Sequence, residues 1–547
     1  MSRERRPQPT IPGAGAGERT RAGHGVAWGG IESATAAAVG FVLTPLILRS
    51  SGIEGLGLWS ASWSMAHTAG ILDLGVGGSY ARFTARAIAQ GDAAALNAAV
   101  SAGAGFHLIL SLIIAAAASL FDPVALARLA PGGVLASQAP AILACTLTVV
   151  LMRLVVSVYR GVVAGAQRID LLGRIGAGTV LLEGSSGALI LLTGGGLRGL
   201  ALNSLACAAL TSSLEGAAAH RLCPALRIRP WSAPREAWRE VLTFGLKVQV
   251  TRAAELLGTH APRLALALGP GLLAAGAYDL GARAAGALQV LGTLPLPVVQ
   301  PLASRLEARG DRARLRTLVE SATRYVAILV LPAAAILLLD GRAVLAAWTG
   351  REAPPESIQT ACWLAGAACM TLLISPTRLA LRGVGRPGLE AIASTAGSLT
   401  SLSLAVALAH PCGPAGVAAA ALVGALVAAV VLDHGARTTG PRTGSIDPPW
   451  KMIRAPLLAA ASALAGGACL HAAFGPVGLF DGRAAALRHL APETLLMGGI
   501  FLGVAILLGG LRRDDFLLLE ARRSDEPAAP ETESGPDRAT AAAGGRG

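Results

Sequence analysis

The chain has 547 residues, 53% of them hydrophobic and only 14% charged, with a mean hydropathy of +0.57. A soluble domain carries about 25% charge, and no soluble fold of this length hides so much apolar surface, so the solvent is lipid. The net charge of +13 does not indicate nucleic acid: the basic residues recur in short loops between apolar runs and form no stripe interleaved with aromatics, the pattern of positive-inside topology.

Residues 1–24 are polar and arginine-rich, lack the apolar centre of a signal peptide, and read as a disordered cytosolic lead-in. Fourteen apolar windows follow, each long enough to span a bilayer as a helix. They cover 25–50, 57–79, 96–120, 138–165, 170–193, 197–219, 239–268, 271–301, 318–340, 357–381, 387–409, 413–433, 452–474 and 492–511. Links near Gly195 and Pro270 are too short for a soluble domain. With a cytosolic N-terminus, the inner loops carry Arg82 and Arg86, Arg160 and Arg168, Arg221 to Arg239, Arg305 to Arg316, Arg382 and Arg386, Arg437 to Arg454, and Arg512 and Arg513. The opposite loops carry few basic residues, so both termini are expected inside. The tail from Asp514 is rich in Glu, Pro, Ala and Gly and has little to bury.

The sequence repeats internally. AIAQGDAAALNAAVSAG follows the second window and RLEARGDRARLRTLVESAT the eighth, with Asp92 and Asp311 offset by 311 − 92 = 219. YRGVVAGAQR after the fourth window echoes LRGVGRPG after the tenth, where Arg160 and Arg382 differ by 382 − 160 = 222. An all-α membrane protein of two six-helix lobes is expected, 25–219 and 239–434, joined by a cytosolic linker 220–238. An even helix number gives both lobes the same orientation about an axis along the membrane normal. Residues 435–511 hold a linker and two further helices, and 512–547 form a mostly disordered cytosolic tail.

Enzymatic signatures are missing. Gly383 to Gly388, GVGRPG, follows a membrane helix and holds Pro387, so it reads as a turn. Lys247 and Lys451 precede Val and Met and cannot complete a P-loop. No GxSxG, HExxH or paired Cys/His spacing occurs, and the seven cysteines form no CxxC. No catalytic residue, metal site or cofactor is expected, beyond H+ or Na+ coupling.

Charges inside the windows carry the functional signal, because an Arg or Asp at a helix centre costs at least ~2.5 kcal/mol and faces a bundle interior or a watery cavity. They are Glu32, Asp73, Arg153 and Glu183 in windows one, two, four and five. Window seven holds Arg252, Glu255, His260 and Arg263, the first two and Arg263 on one helical face. In window eight, Asp279 and Arg283 stand at i, i+4, the spacing of an ion pair. Arg252, Glu255, Arg263, Arg153, Glu32 and Asp73 are the expected cavity residues. Arg82, Arg86, Arg160 and Arg382 sit at headgroup depth, and scattered histidines such as His67 and His107 read as packing residues.

Residues 41–92, FVLTPLILRSSGIEGLGLWSASWSMAHTAGILDLGVGGSYARFTARAIAQGD, resemble the polysaccharide-export, O-antigen-type flippases, in the superfamily that also holds multidrug/toxin extruders and lipid II flippases. TPLILR with Gly52, LGLWS, LDLG, the arginine four residues beyond Gly78 and the closing QGD carry the likeness, with GAYDLGARAAGAL (276–288) and Leu381 to Arg386 in the second half. The resemblance implies two lobes in a V about a central cavity, alternating access, and transfer of an undecaprenyl-linked glycan from the inner to the outer leaflet of the bacterial cytoplasmic membrane. Partners implied are that lipid-linked glycan, membrane lipids, and a glycan polymerase or glycosyltransferases. Arginine forks suit a diphosphate head. Asp73 either pairs with an arginine or binds a coupling cation, and Arg82 and Arg86 meet arriving headgroups. A cation-coupled multidrug exporter, a lipid II flippase and a non-transporting scaffold are the alternatives. The scarcity of aromatics departs from a sugar site.

Overall fold

The computed structural model describes residues 16–69, 76–119, 133–438, 450–474 and 482–508, and among them there is no β-strand. Helix α1, Ala16–Ala69, holds the first window and the first part of the second, and breaks at Gly52 (φ 70°), where a Cβ would be strained. There follow α2 (Val76–Gln90), α3 (Ala93–Ser119), α4 (Gly133–Gly165), α5 (Ile169–Leu192), α6 (Gly196–Leu222) and α7 (Arg235–Leu268). Helix α8 (Leu272–Thr293) bends by 46° towards α9 (Val299–Ala308), so the eighth window is a broken element. Then come α10 (Arg312–Thr349), α11 (Pro355–Gly383), α12 (Pro387–Thr438, broken at Gly413), α13 (Trp450–Phe474) and α14 (Arg483–Leu507). Among the described residues eight helices are long and apolar enough to cross a membrane, or nine if the bent pair is one span. Two of the eight join neighbouring windows: Pro387–Gly435 contains the eleventh and twelfth, and Ala27–Thr68 holds most of the first with residues 57–68 of the second. The number fourteen is not established, but the all-helical membrane architecture is. Large apolar side chains such as Leu112, Ile113, Leu181, Leu189 and Leu495 stay exposed on the helices, as a lipid-facing surface requires.

The duplication is visible in the backbone. Gly52, Gly91 and Gly194 have positive φ, and so do Gly271, Gly310 and Gly413, each 219 positions later. Gln167, the one described non-glycine residue with positive φ, corresponds to Gly385, 218 positions later (385 − 167). Both QGD-type turns are built alike: Asp92 N–H bonds Ala87 O and Asp311 N–H bonds Leu306 O, each at 3.0 Å. Each aspartate then caps the next helix, accepting from Ala95 N at 2.9 Å and from Arg314 N at 3.0 Å. Around Gln167 the offset is 218, and it corrects one pairing. The partner of Arg160 is Arg378, and Arg382 lies one helical turn beyond it, a four-residue slip that keeps the same face.

Within the first half α1 packs on α5, α4 on α6 and α2 on α4; within the second, α11 packs on α8, α10 and α12. Tyr80 wedges α2 into the first half. It is buried, its hydroxyl lies 2.8 Å from His107 Nδ1, and Gly103 and Gly161 leave the space for its ring. Thr84, one turn on, donates to Gly161 O at 3.0 Å. Arg82 and Arg86 occupy the exposed face of α2. Helices α13 and α14 pack on each other and on α10, sharing a core in which Ala459, Met497 and Phe501 meet Val326, Val330 and Leu372.

The halves meet where α1 crosses α8. A Cβ on Gly57 would stand 2.0 Å from Leu272 O, and one on Gly276 would stand 2.0 Å from Ile53 O. Gly57 and Gly276, and likewise Ile53 and Leu272, are partners in the 219-residue register. The two helices therefore cross on the pseudo-two-fold axis itself, with glycine against backbone from both sides. Close approach of this kind is what small residues give membrane helices.

Candidate functional site

Below that crossing, the seam is lined by α1, α7 and α8. Asp279 on α8 is almost wholly buried, and its carboxylate takes Arg263 Nε of α7 at 2.9 Å and Arg283 Nε at 2.6 Å. Arg283 also donates to Thr44 Oγ1 of α1 at 3.2 Å, and Thr44 donates onward to Gly40 O at 2.7 Å. The Arg263 guanidinium lies 5.6 Å from the centre of the Tyr278 ring. Two arginines thus share one carboxylate and tie both halves together with a surplus positive charge. The i, i+4 pair is present, and Arg263 completes it from the preceding helix, where its helical face had associated it with Arg252 and Glu255. The side chains of Arg252 and Glu255, and Asp73 altogether, lie outside the described residues.

An aromatic ladder runs along the same seam. Trp59, Trp63 and His67 stand at i, i+4, i+8 on α1, with ring centres 5.9 and 5.3 Å apart. His67 stacks on His260 of α7 at 5.0 Å, and its Nδ1 donates to Trp63 O at 2.8 Å. These histidines join the halves, and the ladder places aromatic rings in a chain that has few. The spacing W-x3-W-x3-H was readable as one helical face; only its opposite wall was not.

Arg153 of α4 is exposed and within electrostatic reach of His67 and Glu215. Arg160 does not stand free at headgroup depth: it donates to the buried Glu215 at 3.0 Å and lies 3.9 Å from Glu32. Glu32 in turn covers Gly176, whose missing side chain makes room for the carboxylate. Glu183 accepts from Ser204 at 2.6 Å and so joins α5 to α6. Arg382 is likewise engaged, at 2.5 and 2.6 Å from Glu390, which Arg378 also reaches at 3.2 Å. Arg378 continues to Ser394 at 2.8 Å, on the wall of a cavity of about 340 Å³ whose other polar residues include Thr371, Ser398 and Ser401. Arg82 and Arg86 remain at the surface. Sequence reasoning missed Glu215, Arg378 and Glu390, because a charge near a window end looks the same whether it faces headgroups or a neighbouring helix.

No protein-family model matches the chain, and no curated protein matches it. Solved structures do. The lipid II flippase MurJ in an inward closed conformation superposes with a TM-score of 0.69 at 12% identity, covering 87% of this chain and 98% of that one. An inward-facing multidrug resistance MATE family transporter of the MOP superfamily gives 0.54 at 16% identity, covering 74% and 100%. A MATE structure in the bent conformation gives 0.51 at 16%, covering 78% and 97%. The fold is that of these transporters. Residues 1–438 make up 80% of the chain (438/547), so the 87% shared with MurJ must extend past α12 towards the two added helices.

Proposed function

We propose that this chain is a flippase that moves a prenyl-diphosphate-linked glycan, an undecaprenyl-linked oligosaccharide or related polysaccharide precursor, from the inner to the outer leaflet of a bacterial cytoplasmic membrane. Both termini are then cytosolic, and access alternates as the halves rock about their seam. The observation that carries the reading is the Arg263–Asp279–Arg283 cluster, two guanidinium groups on one carboxylate at the interface of the halves. A surplus guanidinium in a low-dielectric seam favours an anionic head and repels a cation. Arg153 adds an exposed positive group, and the half-buried Trp63 offers a face for a sugar ring. With this orientation the Gly57–Gly276 crossing lies at the outer end, and proton or sodium movement supplies the drive.

The superposition on MurJ favours a second reading, in which the carried lipid is lipid II itself. Both cargoes share the prenyl diphosphate, and the arginines serve either. The MATE likeness extends to fold, but a cationic drug would meet the wrong sign at the seam. The test is reconstitution in vesicles holding a defined prenyl-diphosphate glycan, with the fraction exposed on the opposite leaflet measured over time. Arg263→Gln is expected to lower the flipping rate at least ~10-fold without loss of folded protein, and Arg263→Lys to recover part of it, since lysine keeps charge but not the paired donors. Normal glycan flipping by Arg263→Gln, together with efflux of a cationic dye by the parent chain, would establish the multidrug reading instead.

A further inference from the structure

We propose that Asp340, His489 and Glu493 form a binding site for one divalent transition-metal cation of the zinc type, which fastens the added helix α14 to α10. None of the three belongs to the seam. His489 and Glu493 stand at i, i+4 on α14 and so share a face, and Asp340 meets them from the residue at which α10 departs from helical geometry (φ −112°, ψ 22°). One ligand atom from each lies within 4.8 Å of both others. His489 Nε2 is 3.4 Å from Glu493 Oε2 and 3.7 Å from Asp340 Oδ1.

Those separations are wide for charge-assisted N–H···O bonds, which run at ~2.7–2.9 Å. They approach the ~3.3 Å between neighbouring ligands of a tetrahedral ion with metal–ligand bonds near ~2.05 Å. Burial argues the same way. Asp340 is 3% and Glu493 9% exposed, so an ion between them would be held out of bulk water. One imidazole and two carboxylates, with no thiolate, suit zinc and its neighbours in the first transition row and leave a fourth position for water. The consequence is mechanical. Helices α13 and α14 touch the duplicated core chiefly through α10, and a shared ion fixes that contact at a single depth.

The experiment uses the full chain, purified through a tag without histidines, stripped with a chelator and refilled with zinc, or with cobalt as a visible stand-in. About one ion per chain is expected, with a higher thermal midpoint for the refilled protein and a cobalt spectrum without thiolate charge transfer. Asp340→Asn, His489→Ala and Glu493→Gln are each expected to weaken binding by more than the ~10–100-fold lost when an outer-sphere partner is removed, and to abolish the metal-dependent thermal shift. Glu493→Gln preserves size and hydrogen bonding, and its elution as a folded monodisperse species separates ligand loss from misfolding. The proposal is overturned by binding below ~0.1 ion per chain after refilling, or by an undiminished thermal shift in folded Glu493→Gln.

Discussion

A methyl group on Gly57 tests whether the halves move about the crossing of α1 and α8. Its carbon would stand 2.0 Å from Leu272 O, and ordinary contact begins at 3.4 Å, so the helices must part by about 1.4 Å. Overpacking of a tight contact costs ~1–3 kcal/mol. At ~2 kcal/mol, a closed state favoured 99:1 falls to about 3:1, a ~30-fold change in the equilibrium. Gly276→Ala should act identically, because the axis makes the two glycines equivalent. The double variant should cost less than twice either one, since the first displacement makes room for the second. Spin labels at Glu54→Cys and Leu273→Cys, an exposed pair related by the same 219-residue register, report the separation of this end in a background without native cysteines. One short distance is expected in the parent, and a second, longer population in either alanine variant, together with slower flipping. An unchanged distance distribution in both single variants and in Gly57→Val would refute the crossing as the closed contact.

Asp279→Ala strands two largely buried arginines and should destabilise the protein by ~3–5 kcal/mol, read as an earlier thermal midpoint in detergent; Asp279→Asn should lose less. Trp63→Ala removes the central rung of the ladder and should slow glycan flipping more than it alters thermal stability, whereas Trp63→Phe should retain most of the rate. A reporter fused after Arg513 should be active in the cytosol and one inserted near Glu352 outside; reversal at either site overturns the orientation.

Membrane character, helical class and duplication were legible because each rests on signals that recur over hundreds of residues: apolar length, arginine spacing, and a turn such as QGD repeated as RGD. Helix breaks were legible only in part. Gly52 falls between the first two windows and Gly413 opens the twelfth, yet in each case the helix runs on through the break as one kinked element. The bend after Thr293 divides a window that hydropathy reads as continuous. The Asp279–Arg283 pair was visible because its spacing is local. Arg263 on Asp279, Arg160 on Glu215 and Arg378 on Glu390 were not, because their partners lie on other helices and hydropathy carries no azimuth between helices. The Asp340–His489–Glu493 cluster was missed for the same reason, its ligands being separated by about a quarter of the chain.

The duplication also locates where the halves ceased to be equivalent. In the 219-residue register Arg263 corresponds to Thr44, Asp279 to Ser60 and Arg283 to Ser64. All three first-half residues are small hydroxyls, and all are buried. Fold alone cannot demand the charges, because the same backbone positions across the axis are satisfied without them: Thr44 Oγ1 bonds Gly40 O within its own helix. Moreover, the asymmetric set is joined across the axis, since Arg283 reaches the very Thr44 whose counterpart is Arg263. A buried charge cluster costs more than hydroxyls of similar packing role, so its retention in one half only is better explained by something the seam must hold than by stability. An anionic head entering there would compete with Asp279 for the guanidinium groups and loosen the tie between the halves. Binding of cargo and release of the seam would then be a single electrostatic event.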